Sequence, residues 1–529
     1  MSQQPPDAAA QDPIVAAVAA GYAFTGPALD LGALMLDATR LTDVKVRIPL
    51  GMLNRHGLVA GATGTGKTKT LQLLAEQLSA QGVAVFAADV KGDLSGLAAP
   101  GPASPRTTER ATQVDQTWQA TGFPVEYLAL GGQGTGIPLR ATMTAFGPTL
   151  LAKVLGLNET QESSLGLVFH YADQAGLPLL DLADLRAVVQ FLTSDEGKAD
   201  LKDLGGLSSA TAGVILRELI GFADQGADAF FGEPEFDTRD LMRTTPDGRG
   251  VISLVELPNL QDRPALFSTF LMWLLADLFH DLPELGDPEK PSLVFFFDEA
   301  HLLFADASKD FLQAITQTVR LIRSKGVGVF FVTQSPTDVP DEVLAQLGSR
   351  VQHQLRAHTP NEAKALRATV ATYPESGYDD LGHVLTSLGI GEAVVTVMDE
   401  RGAPTPVAWT RLRAPESTMG PNDPAAMAAA VTGSPLHAKY ATAVDRESAR
   451  EKLAARLDKG AEAAKQEPAP PADDHVSYPK PTRAPKRSPG GSGGDMVSDI
   501  MKSPVARDLM RTAAREIVRG VFGVGRRRR

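Results

Sequence analysis

The stretch Gly57-Leu-Val-Ala-Gly61-Ala-Thr-Gly-Thr-Gly66-Lys67-Thr68 decides the fold of this chain, because a short apolar run leads into a glycine loop that ends in lysine and threonine. Its spacing matches the P-loop pattern. Glycines let the backbone curl so that successive N–H groups point at phosphate oxygens, and a following helix adds partial positive charge at its N-terminus. The pattern therefore predicts a nucleoside-triphosphate site between a buried strand and a helix.

The sequence on both sides of this loop agrees with that prediction. Residues 56–60 read as a buried strand, and residues 68–81 carry leucine and alanine at the spacing of one helix face. We expect Lys67 to reach the β- and γ-phosphates and the Thr68 hydroxyl to ligate Mg²⁺. The expected nucleotide-binding residues are Gly61, Ala62, Thr63, Gly64, Thr65, Gly66, Lys67, Thr68 and Lys69.

A second motif, Ser292-Leu-Val-Phe-Phe-Phe-Asp298-Glu299-Ala-His301, places two adjacent acids after an apolar, β-prone run. Such a strand is best buried in a parallel sheet, with the acids at the carboxyl edge where ligands bind. We expect Asp298 to hold the Mg²⁺ shell and Glu299 to polarise the attacking water. Both roles indicate hydrolysis of the triphosphate rather than transfer to a bound alcohol.

A third apolar run, from Gly326 to Val332, ends in Thr333-Gln334. If this strand lies beside the acidic strand, Gln334 would contact the γ-phosphate or the water and report whether the phosphate is present. An ordinary strand-ending turn would carry the same two residues. The sensor role of Gln334 therefore depends on the other two motifs.

Two other classes of nucleotide-binding protein fit less well. Residues 129–134 superficially resemble the signature of ABC transporter ATPases, but they lie far upstream of the acidic strand and run into loop-like sequence. The chain has no Asn-Lys-x-Asp motif, which weakens the interpretation as a GTPase.

Four motifs, in their order along the chain, resemble the HerA/FtsK superfamily of hexameric ATPases. They are the GATGTGKT loop, Asp89-Val-Lys-Gly-Asp-Leu after the next strand, FFFDEAH, and GVGVFFVTQSP. The best match is the bacterial HerA-like group typified by YjgR, over roughly residues 44–413. The resemblance implies a RecA-like α/β ATPase that forms a homo-oligomeric ring, expected to be a hexamer, and uses ATP and Mg²⁺ to move a polymer.

The resemblance leaves the substrate open. DNA translocation or unwinding is the leading use that it implies. The alternatives are a motor that acts on protein, as in secretion, and a regulatory ATPase partnered with a nuclease.

Ring ATPases complete each site with an arginine from the neighbouring subunit. Arg350 and Arg356, on or near the strand that follows Thr-Gln, are the leading candidates, and Arg320 and Arg323 are the runners-up. For each of them, a solvated or salt-bridged surface arginine is an equal alternative.

One departure from HerA concerns the N-terminus, where HerA carries a β-barrel before its motor. Here only about forty residues precede the strand that begins at Val44. A barrel needs more chain than that. We therefore expect that whatever the barrel does is absent or supplied by a partner.

Composition narrows the possible classes further. The length of 529 residues suggests two lobes and a tail, and the absence of cysteine excludes disulfides, thiolate metal sites and cysteine nucleophiles. The sequence has no leader pattern and no apolar run of about 20 residues, so we expect a soluble, cytoplasmic protein without a transmembrane segment. The net charge of −12 argues against a surface coated for duplex binding, although a ring can confine basic residues to its pore.

Changes in composition divide the chain into six segments. They are a partly ordered N-terminal segment (1–43), a first segment of the RecA-like core with the P-loop (44–144), a helical insertion (145–245), a second core segment with the acidic strand and Thr-Gln (246–413), a Pro/Ala/Gly-rich linker (414–495) and an Arg-rich amphipathic helix (496–529). Asn158 to Gln161 is expected to cap a helix of the insertion. For the last helix, packing on its own ring and docking onto DNA, acidic lipid or another protein are equal alternatives.

Overall fold

The computed structural model describes residues 12–466 except residues 38, 133, 203, 258–263, 305–308 and 375. The chain divides into two units, Met1–Leu453 and Ala454–Arg529. Of the second unit, only the helical residues 454–466 are described. The Arg-rich helix predicted for residues 496–529 lies outside the described residues.

A mostly parallel sheet forms the centre of the first unit. Its strands are β1 (Ala28–Leu36), β2 (Thr39–Pro49), β3 (Gly57–Ala60), β4 (Ala84–Asp89), β5 (Val125–Leu130), β6 (Ile137–Leu139), β7 (Ile252–Glu256), β8 (Leu293–Phe297), β9 (Val327–Thr333), β10 (Ser349–Gln352), β11 (Glu392–Thr396) and β12 (Ala408–Leu412). Among the described residues they follow the order β2-β1-β12-β11-β10-β3-β9-β8-β4-β7-β5-β6. Neighbours from β10 to β6 are parallel, and β11, β12, β1 and β2 extend the sheet in antiparallel pairs. The predicted α/β fold with a mainly parallel sheet is confirmed.

Helices cover both faces of this sheet and fill the segment between β6 and β7. They are α1 (Pro13–Gly21), α2 (Lys67–Ala80), α3 (Pro105–Gln113), α4 (Met143–Phe146), α5 (Pro148–Val154), α6 (Glu159–Gln174), α7 (Leu182–Thr193), α8 (Asp195–Asp200), α9 (Ser209–Asp224), α10 (Pro264–Asp281), α11 (His301–Phe304), α12 (Lys309–Ile322), α13 (Asp341–Leu344), α14 (Pro360–Val370), α15 (Leu381–Ser387), α16 (Pro424–Gly433), α17 (Pro435–Tyr440) and α18 (Ala449–Gln466). Short 3₁₀ helices occupy Leu50–Arg55, Ser95–Ala98, Ala227–Ala229, Thr238–Met242, Arg323–Lys325 and Pro336–Asp338. In the described part of the chain, no helix combines the length and apolar character needed to cross a membrane.

The apolar composition of the parallel strands follows from burial on both sides. In β8, Phe295 and Phe297 pack into one core, whereas Val294 and Phe296 pack into the other. Since side chains alternate across a strand, an uninterrupted apolar run serves both cores. Helix α2 contributes to the second core and the helices of the insertion contribute to the first.

The cap predicted for the insertion is present at the start of α6. Gln161 N donates to Asn158 Oδ1 at 3.0 Å, and Asn158 N donates to Gln161 Oε1 at 2.9 Å. This reciprocal pair satisfies two backbone N–H groups that the first turn would otherwise leave free. The capping prediction is confirmed.

Two segments are more ordered than their composition indicates. Residues 13–21 and 28–36 form α1 and β1, and the Tyr22 hydroxyl between them donates to Val395 O at 3.1 Å. Within residues 414–466, α16, α17 and α18 form, and Tyr440 packs against Phe236 with ring centroids 4.9 Å apart. Here the burial of scattered apolar side chains outweighs a local composition rich in alanine and proline.

Candidate active site

The three sequence motifs meet at the carboxyl edge of the parallel strands. Strand β3 leads into the P-loop, β8 ends before Asp298, and β9 lies between them and ends at Thr333. Gly61 N donates to Thr333 O at 3.2 Å, so the P-loop is joined directly to the Thr-Gln strand. Motifs that are distant in sequence are therefore neighbours in space.

The P-loop has a backbone that favours glycine. Gly64 and Gly66 have φ angles of 83° and 117°, in the region that side chains rarely allow. A Cβ atom on Gly61 would lie 2.4 Å from the Cβ of His353, so the close approach of the two segments also requires glycine. The loop tip at Thr63 and Gly64 is exposed, which leaves it accessible to a ligand.

Lys67 begins α2 and folds back onto the loop. Its Nζ donates to Gly61 O at 2.7 Å and to Ala62 O at 3.3 Å. Burial lowers the pKa of Lys67, and the negative charges of Glu299 and Asp298 oppose that effect. A buried cation held by carbonyl oxygens, which are weaker partners than anions, is suited to exchange them for phosphate oxygens.

His353, which sequence reasoning missed, contacts the strand before the P-loop and the first turn of the helix after it. Its Nε2 lies 2.8 Å from Thr70 Oγ1, and its backbone N donates to Ala60 O at 2.7 Å. Burial and the charge of Lys67 lower the pKa of His353 to about 4, so the ring is neutral at pH 7. The only signal in the sequence is a histidine just after a buried strand, which is too common to assign a role.

Asp298 and Glu299 form a buried acidic pair, with 2% and 6% of their surface exposed. Glu299 N donates to Asp298 Oδ1 at 2.9 Å, whereas Asp298 Oδ2 is buried and has no hydrogen-bond partner among the described residues. Burial and the charge of Glu299 raise the pKa of Asp298 to about 7. A bound cation would stabilise this carboxylate, because an isolated buried charge is costly.

Lys91, in the turn after β4, contacts the other carboxylate. Its Nζ forms an ion pair with Glu299 Oε1, and His301 Nδ1 lies 3.2 Å from Glu299 Oε2. Burial alone would raise the pKa of Glu299, but the hydrogen bond and charge of Lys91 outweigh it and hold this pKa below its ordinary value. Glu299 also has a φ of 49°, a backbone conformation that is uncommon outside glycine.

Asp89 fixes the turn that carries Lys91. Its carboxylate accepts hydrogen bonds from Lys91 N at 3.1 Å, Gly92 N at 2.7 Å and Leu94 N at 2.8 Å. In the sequence the Asp-x-Lys-Gly-Asp element is only a marker of the family, whereas the structure gives its first aspartate and its lysine a physical role. It places an ammonium group against the acidic pair.

Comparison with known proteins shows the family to which this chain belongs. The family model described as helicase HerA-like C-terminal matches residues 35–529. The chain belongs to the HerA-like family. The assignment to its YjgR-type group stays a prediction.

Two curated relatives are named as the DNA double-strand break repair helicase HerA. The protein from Sulfurisphaera tokodaii is 21% identical over 370 residues, which cover 67% of this chain and 64% of the relative. The protein from Sulfolobus acidocaldarius is 22% identical over 359 residues, with the same shares of each chain. This HerA-like chain thus spans somewhat less than two thirds of the curated relatives that it matches.

Among solved structures, the plasmid coupling protein TrwB in complex with ADP and Mg²⁺ is 16% identical to this HerA-like chain. The similarity covers 76% of this chain and 98% of that chain, with a TM-score of 0.49. At that distance it assigns no activity.

The predicted sensor glutamine and the two leading candidate arginines of the HerA-like chain differ in exposure and in hydrogen-bond partners. Gln334 is exposed at the end of β9. Arg356 Nη2 donates to Thr63 O of its own P-loop at 3.3 Å. Arg350 donates to Thr372 Oγ1 at 2.6 Å and lies over the Tyr373 ring.

The second pair of candidate arginines and the last expected nucleotide-binding residue lie in three separate places. Arg320 is exposed on α12, and Arg323 lies 3.3 Å from Asp287. Lys69 is partly buried, with its Nζ 3.4 Å from Gln72 Oε1.

Across the described ranges, no group of three or more histidine, aspartate and glutamate side chains converges on a metal position. Mg²⁺ in triphosphate sites is held by one or two protein oxygens, with phosphate and water oxygens in the other positions. Thr68 and the buried Oδ2 of Asp298 fit that requirement.

Proposed function

We propose that this HerA-like chain is a Mg²⁺-dependent ATPase in which the P-loop binds the triphosphate and the acidic pair activates water. The observation that carries the proposal is Asp298 Oδ2, buried at the sheet edge without a partner in the described part of the chain. Its strand lies next to β9, which is hydrogen-bonded to the P-loop strand. A cation between phosphate and Asp298 would resolve this buried charge.

The binding step involves the P-loop and the first turn of α2. Residues 61–69 would present backbone N–H groups to the phosphates, and Lys67 would exchange the carbonyls of Gly61 and Ala62 for phosphate oxygens. The Thr68 hydroxyl and Asp298 would hold Mg²⁺, which neutralises charge on the phosphates.

The hydrolytic step involves Glu299. Because Lys91 keeps its carboxylate ionised, Glu299 is able to accept a hydrogen bond from the attacking water and take its proton. Gln334, exposed at the end of the neighbouring strand, would sense the γ-phosphate.

We further infer that the chain works as a ring, with a hexamer as the expected assembly. Arg356 already contacts the P-loop of its own chain, and Arg350 is engaged by Thr372, so either would have to leave these partners to act on a neighbouring site. A trans role is testable by mixing Arg356→Ala subunits with Lys67→Ala subunits. Partial recovery of turnover supports a shared site, and full activity of a dilute monomer contradicts it.

DNA is the proposed polymer, on the basis of the family and of relatives named as DNA repair helicases. ATP turnover should rise with duplex DNA at low salt and fall as salt increases, since backbone phosphate contacts are screened. The Lys67→Ala variant provides the baseline without catalysis.

The same assay distinguishes the alternatives. Turnover that DNA does not change at any salt concentration would contradict a DNA motor and favour an ATPase that acts on protein or with a nuclease. No turnover by the wild-type chain, with or without DNA, would contradict the ATPase proposal itself.

A further inference from the structure

Ile390 is an unusually exposed apolar residue beside the P-loop. Its exposed fraction is 73%, the highest among the large apolar residues of the described part of the chain, where the next is Val444 at 53%. Single exposed apolar residues are common on protein surfaces and need no explanation by themselves. Two features set Ile390 apart, namely its position beside the P-loop and the hydrogen bonds that its backbone accepts.

The loop that carries Ile390 is fixed to the P-loop. Gly391 N donates to Thr65 O at 3.1 Å, which joins the residue after Ile390 to the residue two before Lys67. A Cβ atom on Gly66 would lie 3.5 Å from Gly391 N. Ile390 is therefore within one residue of a direct contact with the phosphate-binding loop.

Two arginines donate hydrogen bonds to backbone carbonyl oxygens of this loop. Arg110 and Arg411 each donate to Ile390 O at 3.2 Å, and Arg110 also donates to Gly391 O at 3.2 Å. Gly391 has a φ of 72°, and a Cβ there would lie 2.4 Å from Arg110 Nη1. Any residue other than glycine would disturb this packing.

Glu392 closes the same turn. Its carboxylate accepts hydrogen bonds from Gly389 N at 2.9 Å and from Arg411 Nη1 at 3.1 Å. The backbone of the turn is thus held in place at Ile390, so little backbone entropy is lost when a ligand contacts this residue.

We infer that Ile390 is an apolar platform for the base of the nucleotide whose phosphates occupy the P-loop. This inference deepens the proposed ATPase function and rests on it. A nucleotide bound by its phosphates must place its base a short distance from the loop, and bases pack against flat or branched apolar groups on their faces. An aliphatic side chain offers no hydrogen bond, so Ile390 contributes affinity for adenine and guanine alike rather than choice between them.

The test compares three ligands: ATP, GTP and inorganic tripolyphosphate, which has the phosphates without a base. Ile390→Ala should weaken the binding of ATP and GTP by about five- to tenfold, as for a partly buried isoleucine, and leave tripolyphosphate unchanged. Ile390→Leu should restore most of the ATP affinity. Ile220→Ala is the matched control, because Ile220 is a 46% exposed isoleucine on α9, and it should change none of the three affinities.

Each other outcome overturns the inference. An equal loss for tripolyphosphate would mean that Ile390 only supports the P-loop, and unchanged affinity for all three ligands would mean that the base lies elsewhere. If the Ile390→Ala variant sediments with a smaller mass than wild type and keeps its nucleotide affinity, Ile390 is a contact between copies of the chain. If the wild-type chain binds neither ATP nor tripolyphosphate, the proposed ATPase function fails as well.

Discussion

The P-loop corner, formed by residues 61–70 and His353, contrasts with the acidic corner, formed by Lys91, Asp298 and Glu299. In the P-loop corner the Lys67 ammonium and the Thr70 hydroxyl have partners within the chain. In the acidic corner, Asp298 Oδ2 is buried and lacks a partner among the described residues. In the proposed function the first corner would bind the phosphates, and the second would hold the cation that Asp298 Oδ2 lacks.

Burial also shifts the pKa of a side chain in each corner, and the two shifts have opposite directions. It lowers the pKa of His353 to about 4 and raises the pKa of Asp298 to about 7. Both shifts favour the neutral form of a buried group. The comparison indicates that binding and chemistry belong to separate side chains, which predicts separable variants.

The largest expected effect is on turnover, in the acidic corner. Glu299→Gln should lower the rate of phosphate release at saturating ATP by about 10²–10⁴-fold, because the amide cannot take a proton from water. Its ATP affinity should stay within about twofold of wild type, since the P-loop is untouched. Phosphate release near the wild-type rate would remove Glu299 from the chemistry.

The next effect is on binding, in the P-loop corner. Lys67→Ala should weaken ATP binding by about 10²-fold or more, because it leaves the phosphates without their buried cation. Lys69→Ala is the matched control, since Lys69 Nζ is directed to Gln72 and the substitution keeps the backbone N–H. Titration calorimetry measures both, and similar losses in the two variants would contradict a special role for Lys67.

A smaller effect concerns stability in the acidic corner without divalent ions. The folded-state pKa of Asp298, about 7, lies above its unfolded value, so its charged form costs stability as pH rises from about 4 through 7. Asp298→Asn should therefore unfold at a higher temperature than wild type near about pH 8 in EDTA, with a gain of up to about 4 kcal/mol, since one pKa unit corresponds to about 1.4 kcal/mol. Near about pH 4, where the carboxyl is protonated in the folded chain and largely protonated in the unfolded chain, the difference should largely vanish. A lower unfolding temperature for the variant at both pH values would show that the carboxylate is already well compensated.

The smallest effect has the opposite pH dependence, in the P-loop corner. His353 stays neutral in the folded chain down to about pH 4, whereas an unfolded histidine takes up a proton below about 6.5, so stability falls as pH drops through this window. His353→Gln should reduce this loss by about 1–2 kcal/mol between about pH 6.5 and 5. The same substitution at His383, an exposed histidine on α15, is the matched control. An unchanged slope in His353→Gln would place the acid sensitivity elsewhere.

Much of this arrangement could be predicted because it depends on local pattern. The P-loop, the acidic strand and the Thr-Gln strand each combine an apolar run with polar residues at its end, and a parallel sheet brings such ends to one edge. Strands β3, β8 and β9 lie where that reasoning places them. The capping box at Asn158 is equally local.

The features that sequence reasoning missed depend on contacts between distant segments. Lys91 meets Glu299 across 208 positions, and His353 meets Thr70 across 283. Neither spacing leaves a pattern in one sequence. Strand β1 was missed for a different reason, because the alanine- and proline-rich composition of residues 1–40 as a whole obscures one short apolar segment, which pairs with β2 and β12.

Binding of ATP to four proteins, namely wild type, Lys67→Ala, Glu299→Gln and the double variant, tests most directly whether the two corners have separate roles. Wild type and Glu299→Gln are expected to bind ATP alike, while Lys67→Ala and the double variant are expected to lose affinity to the same extent. A loss of affinity in Glu299→Gln as large as that in Lys67→Ala would contradict this expectation.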